Sequence, residues 1–193
     1  MSAPKPVKVV ASNIVEFKSW QPPARTSSAD FSILTDELKH LEHEPGEYWY
    51  LLGGRLLLIL KQRLYRSGGY HSFADYCTRG LGYSRQHIYK LMQVVQFIDR
   101  HWQAAQNQAE RAKVARLFAL GFTKLYLLHT LPDDRLEHLL TNGISVPVNN
   151  FYPERRITIE QATVAQLHRE LLRTSTAIST TENNTWTHED KKY

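Results

Sequence analysis

Histidine and cysteine are the side chains that most readily bind metals or act as nucleophiles, and this chain holds nine of the first and one of the second. His40 and His43 stand three apart, the spacing of two ligands on one helical face. Zinc needs a third and usually a fourth donor, and no CxxC or carboxylate-rich segment is spaced to supply them. Cys77 beside a histidine could form a nucleophilic pair, but it falls at an apolar position of a helical unit, where a buried structural thiol is expected. Gly53-Gly54 and Gly68-Gly69 lack the following lysine and Ser/Thr of a phosphate-cradling loop. The expectation is therefore no metal, no cofactor and no enzymatic activity.

The chemistry that does form a pattern is that of recognition. It lies in Ser72 to Ile98, SFADYCTRGLGYSRQHIYKLMQVVQFI. Ile88, Leu91 and Val95 keep the spacing of one helical face, which turns Arg85, Gln86, Tyr89, Lys90 and Gln93 outward. Arginine and lysine suit guanine edges and phosphates, and glutamine can pair with adenine. Ser84, Arg85, Gln86, His87, Tyr89, Lys90 and Gln93 are thus the candidate DNA base contacts. Lys61, Arg63, Arg66 and Arg79 are the candidate contacts to the DNA backbone.

Presenting those residues requires a short helix, a tight turn and a longer helix. Ser72 can cap the first helix, with Asp75 three residues on to bond the amide of the capping residue. Gly80 and Gly82 end it, and Gly82 sits where a left-handed backbone is needed. Ser84 offers the second N-cap. Cys77, Leu81, Ile88 and Leu91 are the expected buried residues of the unit. Thr78 stands where the helices cross closely, so its hydroxyl should bond a local carbonyl.

The surrounding chain reads as all-α. Apolar spacing through Phe31, Leu34, Leu38 and Leu41 predicts a helix over 31–43, stopped by Pro45 and Gly46. A second, from about Glu47 to Tyr65, is apolar around most of its circumference and should lie at the centre of the domain. After Arg100 a polar, alanine-rich helical stretch runs to Phe118. Thr123 then caps a helix ended by Pro132, and Asp133 or Asp134 opens another closed by Gly143. The domain reading is a flexible arm over 1–29, a helical domain over 30–143 with the helix-turn-helix at 72–98, and a linker over 144–157. A C-terminal helix over 158–173, opened by a TIEQ capping box, and a disordered tail over 174–193 complete it. No strand-period pattern is long enough for a sheet.

Lys and Arg total 24 against 19 acids, a formal charge of +5. The excess is concentrated: Arg55 to Lys124 holds 12 basic residues and three acids, whereas 30–47 holds six acids and one lysine. A basic middle fits a polyanion-binding core. A single cysteine excludes an intramolecular disulfide framework and suits a reducing compartment. The first residues lack a signal-peptide pattern, and the most apolar run, Tyr48 to Leu60, is too short to span a bilayer. A cytoplasmic protein without membrane association is expected.

The segment from Gly54 to Val95 resembles a helix-turn-helix module of phage, plasmid and mobile-element proteins. Arg55 to Lys61, Ser72 to Tyr76 and Leu81 to Met92 carry that likeness. The continuation ALGFTKLYLLHTLPDDRLEHLL is similar to the helices that follow the helix-turn-helix in the ParB/KorB partition family. The resemblance implies an all-helical DNA-binding domain, often a homodimer, in a bacterial nucleoid- or plasmid-associated protein that regulates transcription or partitions DNA. Residues 1–54 hold no arginine-rich phosphate motif, so nucleotide-dependent clamping is not implied. A different reading keeps the fold but makes it a protein-interaction adaptor without sequence-specific DNA binding. It would dock through the acidic 30–47 segment or the C-terminal tail with Trp186.

Overall fold

The computed structural model describes residues 28–41, 48–147 and 154–185. The N-terminal arm up to residue 27, His43, Pro45, Gly46 and Trp186 lie outside the described residues. Eight helices follow in order: α1 (Ser28–Leu41), α2 (Tyr48–Lys61), α3 (Phe73–Asp75), α4 (Arg85–Ala104), α5 (Gln108–Phe118), α6 (Gly121–Leu128), α7 (Asp133–Asn142) and α8 (Val164–Thr185). The all-α expectation holds, with one addition. Ile144–Val146 (β1) and Arg155–Ile157 (β2) pair antiparallel, Ile144 opposite Ile157. The chain divides into two compact units, one ending at Phe122 and the other beginning at Thr123.

In the first unit, α2 is the centre, as its broad apolar character predicts. Trp49, Leu52, Leu56 and Ile59 are buried, and α4 packs along it. Gly53 makes that approach possible: a Cβ there would sit 2.6 Å from Val95 Cγ2 and 3.3 Å from the Leu91 carbonyl oxygen. One turn away the Tyr50 hydroxyl donates to Asp99 Oδ1 at 2.6 Å. Positions therefore rise along α2 as they fall along α4, and the helices run antiparallel. The C-terminal, basic end of α2 lies toward the N-terminal end of α4.

Between these helices the chain departs from a plain two-helix unit. Ser72 Oγ accepts from the Asp75 amide at 3.1 Å, but α3 is a single turn that widens into a π-helical turn over Tyr76–Gly80. The Leu81 amide reaches the Tyr76 carbonyl at 3.1 Å. Tyr76 and Cys77 are both fully buried. The Thr78 hydroxyl donates to the carbonyls of Ala74 and Asp75, at 3.0 and 3.3 Å, but the side chain is exposed rather than set at a close crossing of helices. Gly82 has φ +76°, and the Tyr83 amide closes the turn on the Cys77 carbonyl at 3.0 Å.

Helix α4 runs to Ala104, past the expected end at Ile98. The alanine-rich stretch is not one helix. It breaks at Ala105, and Asn107 recaps α5 by accepting from the Glu110 amide at 2.9 Å, while the Glu110 carboxylate takes the Gln106 amide at 2.6 Å. Local capping here outweighs the alanine propensity. Helix α6 begins at Gly121, so Thr123 lies inside its first turn rather than capping it.

The second unit corrects the linker reading. Gly143 has φ +68°, and a Cβ on it would meet the Ile157 carbonyl oxygen at 2.1 Å. That close pass lets 144–146 pair with 155–157 and bury Ile144 and Val146. Lys124 Nζ ties down the following turn, donating to the carbonyls of Ile159 and Glu160 at 3.0 and 2.9 Å. The Thr158–Gln161 capping box forms with 3.4 Å contacts but does not start the helix. A second box does, Thr163 Oγ1 accepting from the Gln166 amide at 3.2 Å and Gln166 returning to the Thr163 amide at 2.8 Å. Of the expected apolar stripe, Leu167 is fully buried, whereas Val164 and Leu172 are 39% and 57% exposed. The backbone of α8 stays helical to Thr185, through residues 174–185 of the segment expected to be disordered. No helix among the described residues is long and apolar enough to cross a membrane.

Two outcomes follow from the α2–α4 contact. Gly53→Ala should cost about 1–3 kcal/mol by overpacking, less about 1 kcal/mol of improved helix propensity. Its effect should couple to Val95→Ala in a double-mutant cycle read by denaturant midpoints. Asp99 is half-buried, and that desolvation raises its carboxyl above the usual carboxylate range. Above about pH 4 the unfolded chain therefore loses this proton before the folded one, and stability falls with rising pH. Asp99→Asn keeps an acceptor for Tyr50 and removes the charge. Its stability relative to the parent should grow between pH 4 and pH 7 in thermal unfolding.

Candidate nucleic-acid interface

Helix α4 starts on Ser84, whose Oγ accepts from the His87 amide at 3.2 Å. Ile88, Leu91 and Val95 are buried as their spacing predicts. Arg85, Gln86, Tyr89 and Gln93 are exposed, and Gln96 and Arg100 continue the same stripe toward the helix end. Those last two lay beyond the residues singled out by sequence, although they keep the same spacing of three and four. The stripe begins where the unpaired amides and the helix dipole favour an anion.

Two of the expected base contacts sit differently. His87 is half-buried, its ring 6.0 Å from Tyr83 and 6.1 Å from Phe122. It is packed into the first unit rather than set among the exposed side chains. Lys90 is half-buried as well. Tyr89 is 38% exposed, with its ring edge-on to buried Phe73 at 6.4 Å and 83°. The Arg85 guanidinium carbon lies 5.4 Å from the Tyr89 ring centroid.

The expected backbone contacts come from the other side of the same ring row. Phe73 touches Tyr65 at 6.1 Å, and Tyr65 lies in the 3-10 turn Leu64–Arg66 that follows α2. This row brings the turn carrying Arg63 and Arg66 toward the reading end of α4, while Lys61, the last residue of α2, lies within electrostatic reach of Asp99 farther along α4. All three side chains are exposed. Arg63 has φ +56°, the one positive value at a non-glycine among the described residues. A side chain held in that left-handed region is strained, and such strain gathers where a side chain must be aimed.

Arg79 does not join them as a free cation. Its Nε and Nη2 both pair with the Asp75 carboxylate one turn back, and this pairing holds that carboxyl below the usual carboxylate range. Asp75 was expected to bond the amide of Ser72; the guanidinium takes it instead. Arg55 is compensated too, its Nε 2.7 Å from Glu37 Oε2, so part of the acidic segment is used within the fold.

No group of three or more potential metal ligands occurs among the described residues, and the side chain of His40 is not described. Cys77 is buried, and burial pushes its thiol up to about 12. Compared with protein-family models, with curated proteins and with solved structures, the chain matches none.

The thiol supplies a simple check on the core of this unit. At pH 8 iodoacetamide should alkylate Cys77 in the folded protein at least about 100-fold more slowly than in denaturant, where its pKa returns to about 8.5. Mass spectrometry of timed samples measures it.

Proposed function

We propose that this chain is a double-stranded-DNA-binding protein, a transcriptional regulator or partition-type factor of a bacterial genome or mobile element, acting as a homodimer. The helix-turn-helix likeness of Gly54 to Val95 and the ParB/KorB-like continuation belong to the same proposal, as does a cytoplasmic place on nucleoid or plasmid DNA. One observation supports it above the others. The exposed N-terminal stripe of α4 and the strained, basic segment after α2 are brought to the same end of one unit. In this reading α4 enters the major groove, Arg85, Gln86 and Gln93 meet base edges with Tyr89 beside Arg85, and Lys61, Arg63 and Arg66 grip phosphates.

The adaptor reading requires the exposed stripe to meet a protein. A salt-titrated mobility-shift assay with random and pool-selected duplexes separates the two, because an adaptor shows no binding beyond weak, sequence-independent affinity. Arg63→Gly gives the sharper outcome. Glycine relieves the positive φ, so the thermal midpoint should hold or rise. Affinity should fall about equally for all sequences, and the slope of log K against log salt should shrink by about 0.9 for the lost phosphate contact. Arg79→Ala should leave that slope unchanged, since Asp75 already neutralises it. DNA affinity that is indifferent to Arg63 would refute the phosphate role.

A further inference from the structure

We infer that Tyr89 is a positioning residue that holds the Arg85 guanidinium for bidentate recognition of guanine. The inference rests on α4 being the helix that enters the groove, and it concerns which base that helix reads. Arginines of the first unit are held in two different ways, by carboxylates or over rings. Arg100 over Phe97 and Arg111 over Trp102, at 5.7 and 5.5 Å, share the second way but lie away from the first turn of α4. Arg55 gives its Nε to Glu37, and Arg79 gives Nε and Nη2 to Asp75, so carboxylates take some of their N–H donors. Arg85 has no carboxylate partner among the described residues. Its guanidinium carbon instead lies 5.4 Å from the centre of the Tyr89 ring. A ring face attracts the cation without taking any of its five N–H donors.

The ring is itself fixed. Tyr89 stands one helical turn after Arg85, and its edge meets Phe73, which is 4% exposed and touches Tyr65 and Tyr76. Tyr89 cannot swing away without leaving that apolar contact. A guanidinium whose position is held while its donors stay free is suited to a planar, two-acceptor target. The O6 and N7 atoms of guanine in the major groove present that target. A phosphate would not need it, because phosphate oxygens accept from many directions. Arg85 is also the first residue of α4, and the N-terminal residues of a recognition helix meet base edges.

Selection from a randomised duplex pool tests the inference, using the full chain and its Tyr89→Phe, Tyr89→Leu and Arg85→Ala variants. The parent should enrich a motif with guanine at one fixed position. Tyr89→Phe keeps the ring and should keep that preference within about twofold. Tyr89→Leu keeps apolar cover on Phe73 and loses the ring face, so preference at that one position should fall about three- to fivefold. Arg85→Ala should abolish the preference there, and neither Tyr89→Leu nor Arg85→Ala should change the salt slope. Unchanged preference in Tyr89→Leu overturns the inference. Equal losses in Tyr89→Phe and Tyr89→Leu overturn it too, because the hydroxyl would then contact the base directly. A parent that binds DNA but enriches no guanine assigns Arg85 to another role. A parent that binds no duplex removes the DNA reading itself, and the assignment with it.

Discussion

The close crossing of α2 and α4 at Gly53 is the contact on which the first unit depends. A glycine in the middle of a helix sacrifices helix propensity, and here it admits Val95 and the Leu91 backbone to the space a side chain would fill. The gain is tight burial of two apolar faces along most of their length. Direction matters as much as distance. With Tyr50 on Asp99 at one end, the turn that follows α2 is left near Tyr89 on α4 through the Tyr65–Phe73 rings. The candidate interface is a consequence of how the core packs.

Charge is distributed by the same packing. The basic middle of the chain suggests a broad cationic surface, but the fold uses some of those cations internally. Arg55 is compensated by Glu37 and Arg79 by Asp75. Exposed ion pairs contribute little to stability, so their larger consequence is to narrow the cationic surface. Among the cations left without a carboxylate among the described residues are Arg85, which lies over a ring at the start of α4, and Arg63, set by a left-handed backbone, with Arg100 over Phe97 farther along the same stripe. Both devices orient a cation without consuming its donors. The surface is therefore smaller and more directional than a tally of lysine and arginine implies.

The second unit is organised by a different close approach. Gly143 passes so near the Ile157 carbonyl that only hydrogen fits, and two three-residue strands form around it. Leu125, Leu128, Ile144, Ile159 and Leu167 are fully buried in it. Helix α8 starts from a reciprocal cap at Thr163 and Gln166, while Val164 and Leu172 stay exposed. Its apolar residues do not form a single inward stripe.

How much of this was legible depended on the range of the interactions involved. Local rules determined the inward face of α4 through Ile88, Leu91 and Val95, and with it the exposure of Arg85, Gln86, Tyr89 and Gln93. They also determined the left-handed Gly82, the caps at Ser72 and Ser84, and the carbonyl partner of Thr78. Each of these depends on neighbours within a few residues, which a sequence displays directly. Only the tertiary structure decided the rest. The π-turn at Tyr76–Gly80, with Tyr76 and Cys77 buried side by side, has no local signal in the sequence. His87 turns inward because the rings of Tyr83 and Phe122 flank it, and the ring row from Tyr65 through Phe73 joins the basic segment to α4. The pairing of 144–146 with 155–157 is too short to register as a strand pattern, and it forms because Gly143 lets two backbones pass. A sequence displays which residues are near in the chain; Tyr65 with Phe73, or Gly53 with Val95, become neighbours only when the helices pack.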